Sequence, residues 1–91
     1  MYRIIDDRGS GKSSRLMLLA KENNGIIVCK YPQSMRTKAY AYGLVGFDII
    51  SYQDYLEGNY DSNKQCFIDE IEEFVKAIGN NLYGYTLTCE D

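Results

Sequence analysis

The residues best suited to chemistry form a glycine-rich segment near the start of the chain, residues 7–14, with the sequence DRGSGKSS. A short apolar run at residues 2–5, which predicts a strand, comes just before it. A strand that leads through a glycine-rich turn into a helix presents backbone N–H groups and the positive end of the helix dipole to an anion. The pattern therefore predicts a phosphate-binding loop made of Arg8, Gly9, Ser10, Gly11, Lys12, Ser13 and Ser14.

Two side chains of this loop have specific predicted roles. Lys12 is expected to contact the β- and γ-phosphates, and the Ser13 hydroxyl is expected to bind Mg²⁺. One position departs from the pattern G-x-x-x-x-G-K-[ST], because residue 6 is Asp6 instead of glycine. Asp6 adds a Cβ atom and a negative charge close to the polyphosphate. The alternative interpretation is a solvated turn in which Ser10 or Ser13 caps the helix.

A second motif is an apolar run at residues 65–68 that ends in two carboxylates, Asp69 and Glu70. In a nucleotide hydrolase the first carboxylate holds the Mg²⁺ shell and the second polarises a water for in-line attack. The two motifs together predict that Ser13 and Asp69 bind Mg²⁺. They also predict that Glu70 and Lys12 are catalytic residues. The alternative is purely structural, because Asp69 could cap the following helix and Glu70 could stabilise its first turn.

Composition limits the class of protein. Ninety-one residues predict one domain, residues 1–91, and 45% hydrophobic residues with nine tyrosines and three phenylalanines are enough for a packed core. A net charge of −3 argues against general nucleic-acid binding, which needs a basic face. Lysine and arginine are concentrated in the first half of the chain, which indicates either a local basic patch or solvated helix faces.

Cysteine and histidine usage excludes other kinds of site. Three cysteines without short metal-ligand spacing argue against zinc, and the lack of histidine excludes Ser-His and Cys-His catalysis. An odd number of cysteines within predicted strands is typical of reduced thiols. No run approaches the roughly 20 apolar residues of a membrane span, and no signal core is present. We therefore expect a cytoplasmic protein that does not interact with membranes.

Short apolar runs alternate with helical patterns along the whole chain. Strands are predicted at residues 2–5, 26–30, 47–51, 65–68 and 83–88, and helices at residues 12–22, 32–42 and 70–78, with a helical turn from Ser51 to Leu56. Successive β-α units predict a three-layer α/β/α sandwich with a small five-stranded, mainly parallel sheet. Ligands bind beyond the carboxyl ends of such strands, where both motifs are expected to form one site.

Together these motifs resemble the P-loop NTPase superfamily, in particular its additional-strand ATPases, which include helicases and the large terminase subunits of tailed phages. Residues 8–13 are similar to a Walker A loop, residues 67–70 to Walker B, and residues 85–88 to the coupling strand of helicases. The resemblance implies a P-loop NTPase-like fold, Mg²⁺ with ATP or GTP as the cofactor, and Thr86 or Thr88 as a γ-phosphate sensor. It also implies that the coupling strand lies between the Walker A and Walker B strands.

Two functions are compatible with this sequence. The first is a nucleotide-binding P-loop protein, which would be a weak Mg²⁺-dependent nucleoside triphosphatase. It would need a protein partner or self-assembly, because a miniature ATPase core is expected to lack the second lobe that supplies a catalytic arginine. The second is a phage-encoded inhibitor or adaptor of host or defence machinery, in the host cytoplasm, on a degenerate P-loop scaffold without catalysis. Its contact residues would be exposed tyrosines, for which ordinary packing is the alternative: Tyr40, Tyr42, Tyr52, Tyr55 and Tyr60.

Overall fold

The computed structural model describes residues 12–79 together with residues 83, 84 and 86. The predicted strand at residues 2–5 lies outside the described residues. Of the predicted strand at residues 83–88, residues 85, 87 and 88 also lie outside them, and the other three are not in regular structure. In chain order the elements are α1 (Lys12–Glu22), β1 (Ile26–Cys29), α2 (Pro32–Ala41), β2 (Asp48–Ser51), α3 (Tyr52–Leu56), β3 (Cys66–Ile68) and α4 (Ile71–Ile78).

The three described strands form one parallel sheet in the order β2-β1-β3. Val28 of β1 is in register with Ile50 of β2 and with Ile68 of β3. The chain therefore passes from β2 across β1 to reach β3. The predicted parallel α/β arrangement is confirmed for this part of the chain, and each described strand and helix lies within a few residues of its prediction.

Helices cover both faces of the sheet, which explains why all four residues of β1 are buried. Side chains alternate between the two faces of a strand, so β1 contributes to two separate cores. The first core lies against α1 and α2 and contains Met17, Ala20, Ile27, Cys29, Met35, Ala39 and Phe67. The second core lies against α3 and α4 and contains Ile26, Val28, Tyr52 and Phe74.

Gly25 allows α1 to lead directly into β1. Its N–H donates to the carbonyl of Ala20 at 2.7 Å, which closes the end of α1. A Cβ atom at this position would lie 2.7 Å from the Phe67 ring and 2.8 Å from the Gln65 carbonyl oxygen. Only glycine fits at this distance without moving β3, so Gly25 sets how closely α1 and β3 approach each other.

The outer edge of β2 is covered by a side chain. The Asp48 N–H donates to the Gly25 carbonyl at 3.1 Å, so the backbone groups of the next residue, Ile49, face away from β1. The guanidinium of Arg36, on α2, donates to the Ile49 carbonyl at 3.1 Å. A charged side chain thus occupies an acceptor that an added strand would use.

The helices of the described part are short, and the longest of them, α1, has 11 residues. A helix needs about 20 mainly apolar residues to cross a bilayer. Within residues 12–79, 83, 84 and 86, no helix has the length and apolar character to cross a membrane.

Candidate functional site

Asp69 and Glu70 lie at the carboxyl edge of the sheet. They directly follow β3, and the Asp69 N–H donates to the Val28 carbonyl at 2.9 Å, which continues the pairing with β1 by one residue. Because all three described strands are parallel, the residues that follow β1 and β2 lie at this same edge. The carboxylate pair therefore occupies the position at which open α/β sheets bind ligands.

Glu70 has an unusual backbone conformation. Its φ is 58° and its ψ is 73°, in the left-handed region, although it is not a glycine. It is the N-cap residue of α4, but its side chain makes no capping hydrogen bond. A residue with a Cβ atom adopts this conformation at a cost of about 1–2 kcal/mol. Backbone outliers of this kind are concentrated at functional sites, where surrounding contacts compensate for their cost.

Tyr52 provides such contacts. Its hydroxyl lies 2.7 Å from the Asp69 carbonyl oxygen and 3.2 Å from the Glu70 carbonyl oxygen, and it donates to this pair of acceptors. Burial raises the pKa of Tyr52 above its ordinary value, and the nearby charge of Asp69 raises it further. The hydroxyl therefore remains protonated and can act as a donor throughout the physiological range. The prediction that Tyr52 is an exposed contact residue is wrong, because its side chain is 6% exposed.

The other tyrosines of that prediction divide into two groups. Tyr40 and Tyr42 are exposed, by 90% and 56% respectively. Tyr55 and Tyr60 are half-buried and stack on each other with ring centroids 5.2 Å apart. The latter two pack against the second core, Tyr55 from α3 and Tyr60 from the loop that follows it.

A cleft of about 250 Å³ lies beside the carboxylate pair. Lys30 and Lys38 line it together with three acidic residues, Asp69, Glu70 and Glu73. Lys30 Nζ lies 3.2 Å from Glu73 Oε2, and this hydrogen bond raises the pKa of Lys30. The cleft is thus lined by side chains of both charges.

Cys29, at the end of β1, also lines this cleft. Burial, with a smaller effect from the charge of Asp69, raises the pKa of its thiol to about 11. The thiolate is the nucleophilic form of cysteine, so a thiol with this pKa is unreactive at neutral pH. Cys29 therefore serves as a small core residue.

The predicted phosphate-binding loop lies largely outside the described residues, which is where Arg8, Gly9, Ser10 and Gly11 fall. Lys12, Ser13 and Ser14 form the first turn of α1, and the two serines are half-buried. α1 packs on β1 and β3 and joins β1 through only three residues, 23–25. It must therefore run antiparallel to β1, over about 16 Å at 1.5 Å per residue. The beginning of α1 is accordingly directed toward the sheet edge that carries Asp69 and Glu70.

The described residues contain no group of three or more acidic, cysteine or histidine side chains that could hold a metal ion by itself. The predicted Mg²⁺ ligands, Ser13 and Asp69, do not require such a group. Mg²⁺ that is bound with a nucleotide uses one or two protein ligands, and phosphate oxygens and waters complete its octahedron.

A second cleft, of about 530 Å³, lies along β2 and at the amino ends of β1 and β2, away from the edge that carries Asp69 and Glu70. Arg36 and Asp48 line it, and Asp48 is paired with Lys64 at 3.0 Å. None of the described residues of the two motifs lines this cleft. The smaller cleft at the carboxyl edge is therefore the better candidate site, although the other is larger.

Comparison with known proteins identifies no relative of this chain. No protein-family model matches the chain, and no curated protein and no solved structure shows significant similarity to it.

Proposed function

We propose that this chain is a nucleotide-binding protein of the P-loop type, a weak Mg²⁺-dependent nucleoside triphosphatase that acts with a partner or by self-assembly. The observation that carries the proposal is the position and conformation of the carboxylate pair. Asp69 and Glu70 follow a parallel strand, and Glu70 is held in a costly conformation without serving as a side-chain cap. This favours a chemical role for Glu70 over helix capping.

The direction of α1 supports the same proposal. Its first turn contains Lys12 and Ser13 and is directed toward the edge where Asp69 and Glu70 lie. In the proposed site Lys12 and the loop amides bind the phosphates, whereas Ser13 and Asp69 hold Mg²⁺. Glu70 then orients the water for in-line attack on the γ-phosphate.

The strand order is compatible with the five-stranded sheet that this proposal requires. Among the described strands β1 pairs with one side of β3, and Arg36 occupies the outer side of β2, so this proposal places further strands at the other side of β3. The P-loop arrangement needs the coupling strand there, next to Walker B, with the Walker A strand beyond it. In this proposal residues 83–88 and residues 2–5 supply those two strands in that order, which requires residues 83, 84 and 86, not in regular structure in the described part, to pair in the sheet.

Calorimetric titration of ATP and of GTP, each with Mg²⁺, tests the nucleotide site. We expect binding by the wild-type protein, and loss of binding in Lys12→Ala, because a phosphate contact is removed. Lys21→Ala is the matched control, since it removes an exposed lysine at the opposite end of the same helix. No heat of binding in the wild type, or equal affinity in the Lys12 and Lys21 variants, would contradict the proposal.

The two carboxylates are expected to have different functions. Asp69→Asn should weaken the Mg²⁺-dependent part of ATP binding, whereas Glu70→Gln should slow hydrolysis with little change in affinity. Measurement of the dissociation constant and the turnover rate for both variants separates the two effects. Equal changes of both parameters in both variants would instead indicate a structural role for the pair.

Dependence on assembly is tested through the turnover rate per subunit at increasing protein concentration. A transition-state arginine is worth about 10³–10⁵ in rate, so a rate that rises with concentration would show that another subunit supplies it. Arg8→Ala is the informative variant, because Arg8 belongs to the loop itself. A fast, concentration-independent rate that is lost in Arg8→Ala would refute the need for a partner.

The second candidate function is protein binding without catalysis, as an inhibitor or adaptor. An exposed apolar surface at the end of α2 favours it, with Tyr40 90%, Tyr42 56% and Val45 73% exposed. Exposed tyrosines are typical of interaction hot spots. Sedimentation of the wild type and of a Tyr40→Ser, Tyr42→Ser variant tests whether this surface mediates self-association. Identical monomeric behaviour of the two would exclude this surface from self-assembly.

A further inference from the structure

We propose that Tyr52 is a positioning residue that holds the Asp69–Glu70 segment in its metal-binding conformation, an inference that rests on the function proposed above. Tyr52 begins α3 directly after β2, on the far side of β1 from β3. Its hydroxyl nevertheless lies 2.7 Å from the carbonyl oxygen of Asp69. The side chain therefore connects the two outer strands of the described sheet across the carboxyl end of the central one.

The hydroxyl acts on the two peptide groups that determine the conformation of Glu70. The Asp69 carbonyl belongs to the peptide group before the Glu70 Cα atom, and the Glu70 carbonyl belongs to the one after it. Both carbonyl oxygens face the Tyr52 hydroxyl, at 2.7 and 3.2 Å. Two carbonyl dipoles that converge on one point repel each other unless a donor lies between them. The Tyr52 proton thus stabilises the pair of peptide orientations that gives Glu70 its φ of 58°.

Tyr52 is itself held in place by the element that it orients. Its ring packs edge-on against Phe74, with centroids 5.2 Å apart and an interplanar angle of 80°. Phe74 lies on α4, the helix that begins immediately after Glu70. A buried ring anchored on α4 and a hydroxyl bonded to the start of α4 define one rigid arrangement, which is what a preorganised site needs.

The test is the gain in ATP affinity that Mg²⁺ produces, measured by calorimetry with and without the metal. Tyr52→Phe retains the ring and removes the donor. We expect the gain from Mg²⁺ to fall about tenfold or more, whereas the affinity for ATP without metal changes by less than about threefold. Tyr55→Phe is the matched control, because its ring also packs against Phe74. It should leave both affinities at the wild-type values.

A second variant distinguishes the donor from the packing of the ring. Glycine adopts the left-handed conformation without the cost that a Cβ atom brings, so Glu70→Gly in the Tyr52→Phe background should recover part of the gain from Mg²⁺ that Tyr52→Phe loses. If the ring acts only through packing, the gain should stay equally low in the double variant. If Tyr52→Phe alone does not fold, the double variant is compared with Glu70→Gly.

The possible outcomes separate this inference from the proposed function. If Mg²⁺ increases ATP affinity equally in the wild type and in Tyr52→Phe, the role of Tyr52 is refuted and the nucleotide site stands. If the wild type binds no nucleotide, the proposed function fails, and this inference fails with it. If ATP binds without any gain from Mg²⁺, the metal assignment and the role of Tyr52 are both wrong.

Discussion

Replacement of Glu70 by glycine and by alanine should give an unusual order of stabilities. Both variants lose the carboxylate, so they differ only in the backbone. At φ 58° alanine carries the cost of the left-handed conformation, about 1–2 kcal/mol, and glycine does not. The greater freedom of glycine in the unfolded chain offsets about 0.4–1 kcal/mol of this difference. We therefore expect Glu70→Gly to be more stable than Glu70→Ala by about 1 kcal/mol, and by at most about 1.6 kcal/mol.

The assay is urea denaturation followed by circular dichroism, with thermal unfolding as a second measurement. For a domain of this size 1 kcal/mol corresponds to about 4–8 °C in melting temperature, which is easily resolved. The control pair is Glu72→Gly and Glu72→Ala, two residues further along in the first turn of α4. There the order should be reversed, because glycine disfavours a helix by up to about 1 kcal/mol relative to alanine.

Two results would refute this reasoning about strain. One is Glu70→Ala being as stable as Glu70→Gly. The other is the same order of stability at both positions. Both Glu70 variants should also lack nucleotide hydrolysis, so Glu70→Gly should gain stability over Glu70→Ala without recovering any activity. A hydrolysis rate in either variant equal to that of the wild type would exclude Glu70 from catalysis.

Two further predictions concern stability. Gly25→Ala should reduce the free energy of unfolding, measured by urea denaturation, by about 1–3 kcal/mol. The new Cβ atom would lie 2.7 Å from the Phe67 ring and 2.8 Å from a backbone oxygen. A change below about 0.5 kcal/mol would show that β3 moves freely. The pKa of Cys29 is raised from 9.0 to about 11, so the unfolded chain loses this proton first and the free energy of unfolding should fall as pH rises through that interval. In Cys29→Ala the free energy of unfolding should fall less over the same pH interval. An equal decrease in the variant and the wild type would show that other groups cause it.

Local signals explain why the described elements could be predicted from the sequence. The turn at residues 23–25 ends α1 where polar residues and a glycine interrupt the helical pattern. The continuous apolar run of β1 predicts a strand that is buried on both faces, as observed. Ser51 begins the predicted helical turn, and its Oγ accepts a hydrogen bond from the Asp54 N–H at 3.0 Å, which caps that turn. Each of these features depends on residues within one or two turns of each other.

The features that were missed depend on distant contacts. Tyr52 is buried because Phe74, which lies 22 positions later in the chain, packs against its ring. The left-handed conformation of Glu70 has no local signal, since glycine and asparagine are the residues that normally indicate it. The order of the strands has no local signal either. β3 lies beside β1 only because the chain crosses from β2 over β1 before it forms β3. Sequence could therefore predict the carboxylate pair, but not how it is held.

The contact between Arg36 and the edge of β2 has a consequence for behaviour at high concentration. Exposed strand edges are templates on which other chains can add in register, and this is a common route to aggregation. The Ile49 carbonyl, which faces outward, already accepts a hydrogen bond from the Arg36 guanidinium at 3.1 Å. An incoming strand would have to displace a charged group from this acceptor. It would replace one hydrogen bond by another, so its addition would bring little net stabilisation. The side of the sheet formed by β2 is thereby protected against the stacking of chains into fibrils, and Arg36 is the residue whose loss would expose it.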